Sequence, residues 1–121
     1  MRGFMGRLTT HVLDTARGTP GTGVEVRLYR AGPQGYEIVR SALTNADGRC
    51  DAPLLDGAAM VVGRYRLVFG AGAYFRRSGT PLAEPPFVDE VTLDFGIADT
   101  DAHYHVPLLV SPWSYATYRG S

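Results

Sequence analysis

The sequence predicts an all-β domain, folded as an antiparallel sandwich or barrel, from three observations. Apolar and polar residues alternate with a period of two in several stretches, which is the pattern of half-buried strands. Clusters of Gly, Pro, Asn and Asp separate those stretches, as turns and loops do. The chain has 121 residues, of which 45% are hydrophobic, and this composition suits one domain with a real core.

The alternating stretches define the predicted strands in chain order. They are LTTHVLDT (8–15), GVEVRLYR (23–30), EIVRSALT (37–44), GRYRLVFG (63–70), DEVTLDFGI (89–97) and HYHVPLLV (103–110). The second is the clearest, because Val24, Val26 and Leu28 share one face. In the fourth, Tyr65 and its apolar partners are predicted to face the core, and Val68 to lie opposite them with two arginines. Short strands at such spacing are typical of sandwiches and barrels.

The segments between the strands are predicted to be turns and loops, with one exception. RGTPGTG, NADGR and RSGTPLAEPP carry the residues that break strands. AGAYFRRSG (71–79) shows no alternation and has a length that suits one or two helical turns ended by Gly79. We therefore expect one short helix after the GRYRLVFG strand.

The last part of the chain is predicted to be a hairpin with its corner at Pro112. HYHVPLLV and SPWSYATY form its two strands, and Pro112 cannot donate to a ladder. Pro107, inside the first of them, predicts an edge or otherwise irregular position. An exposed edge strand is prone to association, so we expect a second copy of the chain to cover it.

Charge and cysteine content exclude several classes of protein. Twelve basic and twelve acidic residues cancel, so the basic excess typical of a nucleic-acid-binding protein is absent. Cys50 is the single cysteine, which excludes an internal disulfide and favours a passive small residue over a catalytic thiol. The stretch MRGFMGRLTT lacks the apolar core of a signal peptide, and no apolar run approaches the length of a membrane span. A cytoplasmic protein is expected, with translation starting at Met1 or Met5.

Histidines are the main candidates for chemistry near neutral pH. His103 and His105 share a face if HYHVPLLV is a strand, while His11 lies in the first strand. Three interpretations stay open at this point: surface histidines, a general acid/base site, or a zinc site with three imidazole ligands. Arg49 follows the NADG turn, where an arginine is either solvated or reaches into a cleft to hold a planar anion.

Three motifs together resemble those of the transthyretin-related protein family, in particular its hydrolase branch. They are LTTHVLDTARGTPGTGVEVRLYR, TNADGR and HYHVPLLVSPWSYATYRGS. The resemblance covers nearly the whole chain and implies a transthyretin-like domain at residues 8–121, preceded by an extension of residues 1–7. It implies an all-β sandwich of two four-stranded sheets with one short helix. It also implies a homotetramer, a dimer of dimers, with active clefts between subunits.

The same resemblance implies an activity and the residues that carry it. The activity is metal- and cofactor-independent hydrolysis of 5-hydroxyisourate to 2-oxo-4-hydroxy-4-carboxy-5-ureidoimidazoline in urate degradation. His11, His105 and Ser121 are the expected catalytic residues, and His11, Arg49 and Tyr118 the expected substrate-binding residues. The partners expected are the small substrate and other copies of the chain, with no nucleic acid and no membrane.

Some roles stay open even with the resemblance. His103 is expected to be a supporting residue at most, and the resemblance assigns no role to Arg119. Two alternative functions remain: a transthyretin-like small-molecule carrier without catalysis, and a structural interaction domain. The carrier branch lacks the terminal YRGS motif and the set of two histidines and an arginine, so the motifs favour the hydrolase.

Overall fold

The period-two alternation becomes nine strands in residues 6–121, the part of the chain that the computed structural model describes. The strands are β1 (Arg7–Asp14), β2 (Thr19–Pro20), β3 (Glu25–Gly32), β4 (Gly35–Leu43), β5 (Leu55–Asp56), β6 (Gly63–Gly70), β7 (Glu90–Ile97), β8 (His103–Val110) and β9 (Tyr115–Thr117). A 3₁₀ helix at Gly57–Ala59 and one α-helix, α1 (Ala71–Arg77), complete the secondary structure of these residues. Of the predicted extension at residues 1–7, only Gly6 and Arg7 lie within the described part, and Met5 lies outside it.

The strands form two sheets, which confirms the predicted all-β sandwich. One has the order β4-β3-β6-β7, and the other the order β2-β1-β8-β9 with β5 also paired to β1. The second sheet therefore has five strands where four were expected, because the two-residue strand β5 joins the edge of β1. The prediction of a purely antiparallel sandwich is wrong at one pair, since β1 and β8 run parallel. Parallel neighbours need a long crossover, and the entire other sheet supplies it.

The core lies between the two sheets and follows the predicted alternation. Tyr65, Leu67 and Phe69 of β6 are fully buried. Val68, predicted to lie on the polar face, is also buried. It points away from the core, but β6 is an inner strand, and Val68 is flanked by its register partners Arg27 and Thr92 on both sides.

The helix α1 directly follows β6, as predicted. Tyr74 and Phe75 are its large buried side chains, and the Tyr74 hydroxyl donates to the buried Asp14 carboxylate at 2.7 Å. Gly79 follows the helix with a φ of 75°, the left-handed conformation that glycine supplies at a helix end. No helix in the described residues is long and apolar enough to cross a membrane.

The final hairpin has its corner at Pro112 as predicted, but Pro107 is not on an edge strand. β8 lies between β1 and β9, and β9 is the edge. In the register of β8 with β9 and Gly120, Pro107 stands opposite Tyr118. The ladder is interrupted there, since Pro107 has no N–H to donate. The irregular position was therefore predicted correctly, and the edge position was not.

Candidate active site

The parallel pairing of β1 and β8 brings three polar residues of β1 beside two histidines of β8. Arg7 is paired with His103, Thr9 with His105, and His11 with Pro107. The intervening residues of both strands are buried in the core. Because side chains alternate along a strand, Arg7, Thr9, His11, His103 and His105 all project from the outer face of this sheet. The prediction that His103 and His105 share a face is confirmed.

A tight turn fixes Arg49 above this face. The side-chain oxygen of Asn45 accepts the backbone N–H groups of Asp47 at 2.9 Å and Arg49 at 3.1 Å. Gly48 has a φ of 76°, and a Cβ there would lie 2.4 Å from the carbonyl oxygen of Val12. The turn therefore needs glycine at this position for two reasons. The NADG sequence holds the backbone of Arg49 in place without using the guanidinium.

His11 is held by the same turn. It forms an isolated antiparallel bridge with Arg49, and its Nε2 lies 2.9 Å from the carbonyl oxygen of Asp47. A carbonyl oxygen only accepts hydrogen bonds, so Nε2 of His11 carries the hydrogen. In the neutral ring Nδ1 is then the nitrogen without a hydrogen.

The terminal residues return to β8 and are fastened there. Gly120 and His105 exchange two backbone hydrogen bonds, of 2.7 and 3.2 Å. The Arg119 guanidinium lies over the Tyr104 ring, 4.1 Å from its centroid, a cation–π contact. A Cβ on Gly120 would lie 3.2 Å from ring and Cβ atoms of His105. The glycine thus allows the tail to pass close to the histidine and brings Ser121 to the site.

These elements enclose a cavity of about 350 Å³. Its lining residues are Arg7, Thr9, Thr10, Arg49, Cys50, Asp51, Ala52, Pro53, His103, His105 and Ser121. Of the residues singled out in the sequence, the structure thus brings Arg49, His103, His105 and Ser121 together. His11 lies beside the cavity, paired with Arg49. Tyr118 does not line it within one chain; it is 60% exposed and borders a separate depression of about 220 Å³ next to Arg119.

The cavity favours uncharged imidazoles and a protonated thiol. Burial lowers the pKa of His105, and the charges of Arg49, His103 and His11 lower it further. Burial and then the Arg7 charge lower the pKa of His103. Burial, followed by the Asp51 carboxylate, raises the pKa of the Cys50 thiol. A neutral imidazole can accept a proton at neutral pH, whereas the Cys50 thiol is poorly suited to be a nucleophile.

The polar cavity residues that sequence reasoning missed include Arg7 and Thr9 of β1. They precede His11 by four and two positions on the same strand, so the period-two pattern that predicted the strand also placed them on the face of His11. Threonine is common in strands, so its presence there does not by itself indicate a function. Thr9 becomes a candidate site residue only because His103 and His105 lie beside it. The partner strand, nearly one hundred residues away, could not be identified from the pattern.

The arrangement offers no ready-made metal centre in residues 6–121. No group of three or more His, Cys, Asp or Glu side chains there could hold a metal ion. Hydrogen bonds already engage one nitrogen of each of the three rings: Nε2 of His11, Nε2 of His103 and Nδ1 of His105. What the cavity combines is two guanidinium groups, two imidazoles, a carboxylate and hydroxyl groups.

Known proteins are similar to this chain in both sequence and fold. The model of the HIUase/Transthyretin family matches residues 8–120. 5-Hydroxyisourate hydrolase of Pseudomonas aeruginosa is 59% identical over 117 residues, covering 97% of this chain and 93% of the relative. The enzyme of the same name from Ralstonia nicotianae is 57% identical over 117 residues, covering 97% of this chain and 100% of the relative.

Solved structures agree. Klebsiella pneumoniae 5-hydroxyisourate hydrolase superposes with a TM-score of 0.80 at 38% identity, covering 97% of this chain and 100% of that one. A crystal structure of (S)-allantoin synthase has a TM-score of 0.91 at 47% identity. That match covers 96% of this chain and 44% of the synthase chain. Sea bream transthyretin in complex with thyroxine has a TM-score of 0.84 at 27% identity, covering 94% of each chain.

Proposed function

Since the chain belongs to the HIUase/Transthyretin family, we propose that it hydrolyses 5-hydroxyisourate, the product of urate oxidation, to 2-oxo-4-hydroxy-4-carboxy-5-ureidoimidazoline. The family resemblance predicted from the motifs is confirmed. Relatives that are 59% and 57% identical over nearly the whole chain carry the name of this hydrolase. They support the hydrolase branch of the family rather than the carrier branch.

The observation that carries the proposal is the meeting of His105, Arg49 and Ser121 on one cavity of about 350 Å³. Ring-opening hydrolysis needs a base for water, stabilisation of negative charge on the carbonyl oxygen and a proton for the leaving nitrogen. The depressed pKa of His105 provides a base at neutral pH. Arg49 supplies a fixed positive charge with a planar fork of donors.

The roles that we propose follow from these positions. His105 removes a proton from the attacking water, and the same proton later protonates the ring nitrogen as the C–N bond breaks. Arg49 orients the urate-like ring and stabilises the developing oxyanion. Ser121 positions water or substrate through its hydroxyl. His11, next to Arg49, binds the substrate and shares the acid/base work through its free Nδ1.

We propose that Tyr118 contributes within a homotetramer, a dimer of dimers. Tyr118, Trp113 and Tyr115 are aromatic side chains at or near the edge strand β9, exposed by 60%, 68% and 50%. Exposed aromatic groups along an unpaired edge favour burial against another subunit. In such an assembly Tyr118 would close the cleft that the outer face of β1 and β8 leaves open. Light scattering at micromolar concentration tests this, and a monomer would contradict it.

The carrier alternative rests on the shared fold with sea bream transthyretin, whose crystal structure contains thyroxine. That similarity is at 27% identity, well below the identity to the hydrolases. The cavity combines His105, Arg49 and Ser121, groups that ring-opening hydrolysis uses and that ligand binding alone does not require. We therefore retain the hydrolase as the proposal.

Metal independence is part of the proposed mechanism. If a metal supplied the nucleophile, removing it would abolish turnover. We expect exhaustive chelation to leave the rate unchanged and elemental analysis to find no stoichiometric metal. One tightly bound zinc per subunit together with a chelator-sensitive rate would contradict this.

The cytoplasm is the compartment that we propose for this reaction. Cys50 is a free thiol and the single cysteine of the chain, as is common in a reducing compartment. Fractionation of cells that express the protein tests the location. Recovery with exported marker proteins would contradict it.

The direct test of the activity uses 5-hydroxyisourate generated in the cuvette from urate. Absorbance loss is followed with and without the protein, because the substrate also decays spontaneously. We expect strong acceleration that is proportional to protein concentration. No acceleration, combined with saturable binding of thyroxine, would support the carrier instead.

A further inference from the structure

The hydroxyl of Thr9 lies between the two histidine rings of β8. Thr9 Oγ1 is 2.7 Å from Nε2 of His103 and 2.9 Å from Nδ1 of His105. The ring centroids of the two histidines are 6.2 Å apart, so the hydroxyl spans the gap between them. The register of β1 with β8, which sets Thr9 opposite His105, fixes this placement. Thr9 therefore bridges two histidines that both line the cavity.

We propose that Thr9 is a positioning residue that joins His103 and His105 into one proton path, so that His105 can alternate between base and acid. The inference rests on the proposed hydrolysis. It gives His103 a role as the temporary acceptor of a proton. It gives Thr9 a role although its hydroxyl need not touch the reacting atoms.

The Thr9 hydroxyl group carries a single hydrogen. Thr9 can donate to one of the two nitrogens, and it must accept from the other if both hydrogen bonds are made. At least one of the two facing nitrogens therefore carries a hydrogen. A neutral imidazole has one N–H, so the direction of the Thr9 hydroxyl decides which nitrogen of His105 is free.

Two arrangements of the path are thus distinguished. When Thr9 donates to His103 and accepts from Nδ1–H of His105, Nε2 of His105 is free and acts as a base. When Thr9 donates to His105, Nε2 of that ring carries the hydrogen and acts as an acid. The lowered pKa values of His103 and His105 favour the neutral rings from which these arrangements are built.

The proton balance of the reaction follows. Nε2 of His105 takes a proton from water as the water oxygen bonds to the ring carbonyl carbon. The Nδ1 proton of His105 moves to Thr9 Oγ1, and the Thr9 proton moves to Nε2 of His103. His105 is then neutral with its hydrogen on Nε2, and His103 carries the positive charge.

The second half returns every group to its starting state. Nε2 of His105 gives its proton to the ring nitrogen as the C–N bond breaks, and the two-proton shift through Thr9 reverses. The net transfer is one hydrogen from water to the leaving nitrogen, with no proton left on the protein. Arg7, whose charge lowers the pKa of His103, favours the return of the proton from His103.

The experiment compares three hydroxyl variants for turnover of freshly generated 5-hydroxyisourate. Thr9→Val keeps the shape and removes the hydroxyl, while Thr9→Ser keeps the hydroxyl. Thr15→Val is the matched control, because the Thr15 hydroxyl also donates from the β1 end to β8, at the carbonyl of Val110 3.1 Å away, outside the cavity. Thermal melting checks that each variant is folded.

We expect Thr9→Val to lower kcat by about 10-fold or more, less than the ~10²–10⁴-fold contribution of an acid/base group itself. KM should change little, since the hydroxyl acts through His105. Thr9→Ser should keep most of the wild-type kcat, and Thr15→Val all of it. Full kcat in Thr9→Val, a loss in KM alone, or equal loss in Thr9→Ser would overturn the proposal.

A second readout does not depend on catalysis. Imidazole ¹⁵N NMR of the resting protein reports which nitrogen of His105 carries the hydrogen. We expect His103→Gln to change that distribution in the wild type but not in Thr9→Val, because the bridge is absent there. An unchanged distribution in both would overturn the path. Failure of the wild type to turn over substrate would instead overturn the proposed function, and the NMR result would still be informative.

Discussion

The outer faces of the two sheets both carry polar residues and border cavities of similar volume, about 350 and 330 Å³. The arginines that line the two cavities differ in whether carboxylates pair with them. On the β4-β3-β6-β7 sheet, Arg27 pairs with Glu90 at 2.5 Å and Arg66 with Asp94 at 2.6 Å. These arginines are neutralised by carboxylates of the same sheet. Their guanidinium groups are therefore less available to bind an anionic ligand.

The outer face of β1 and β8 lacks that compensation. Within residues 6–121, Arg49 has no carboxylate at ion-pair distance, although Asp51 lines the same cavity. Asp51 accepts a hydrogen bond from the Asn45 side chain at 3.0 Å instead. Arg49 thus has an anchored backbone, no carboxylate partner among the described residues, and imidazoles beside it. Such a cation is suited to bind and polarise a substrate. The difference teaches that pairing of the charges, more than polarity or cavity size, distinguishes the candidate site.

The largest effect is expected for His105→Ala. Loss of an acid/base group should lower kcat by about 10²–10⁴-fold, and the fold should persist because this ring projects from the outer face. Steady-state kinetics with thermal melting of the same preparation measures both quantities. A variant that melts like the wild type and turns over at the wild-type rate would remove the basis for the site.

Removal of residues 118–121 should have the next largest effect. The tail adds little burial, but Gly120 and Ser121 border His105 and the cavity. We expect a decrease in kcat/KM that corresponds to about 2–4 kcal/mol of transition-state stabilisation, the scale of losing oriented polar groups. The melting temperature should change little. A truncated protein with full kcat/KM would reduce the YRGS motif to a family marker.

The pKa of His105 should respond to the arginine of one face and not to the arginine of the other. This pKa is lowered by burial first and then by the Arg49 charge, so the neutral base form persists below the ordinary value of 6.5. In a plot of kcat/KM against pH, the acidic limb should therefore lie below pH 6.5. Activity should be lost as the pH decreases through the lowered pKa of His105. Arg49→Ala should raise the pKa of His105, and Arg66→Ala should leave it unchanged. An NMR titration in which Arg49→Ala lowers the pKa of His105 would contradict this prediction.

The smallest effect is expected for Asp94→Asn on the opposite face. The carboxylate pairs with Arg66 at the exposed surface, where ion pairs contribute little to stability. Turnover should equal that of the wild type, and the melting temperature should shift only slightly. A loss of turnover like that of His105→Ala would mean that the paired face also takes part in catalysis.

Local pattern predicted most of the fold, since the alternation in GRYRLVFG and DEVTLDFGI gives β6 and β7 directly. It missed β2 and β5, because strands of two residues have no period to detect. It could not tell whether Pro107 lies at an edge or at an irregular inner position, and it expected only antiparallel pairing. Neighbours in a sheet depend on pairs distant in sequence. Thr9 was missed for the same reason: its partners His103 and His105 are 94 and 96 residues away.

The most direct test of the contrast is to compare Arg49→Ala with Arg66→Ala in the same 5-hydroxyisourate assay. Both changes remove one guanidinium from the outer face of a sheet, and both proteins are first matched for melting temperature and assembly. We expect Arg49→Ala to lose about 2 kcal/mol or more of transition-state stabilisation, on the scale of an oriented charge. Arg66→Ala should retain the wild-type kcat/KM. Equal rates for the two variants, or a larger loss in Arg66→Ala, would contradict the account.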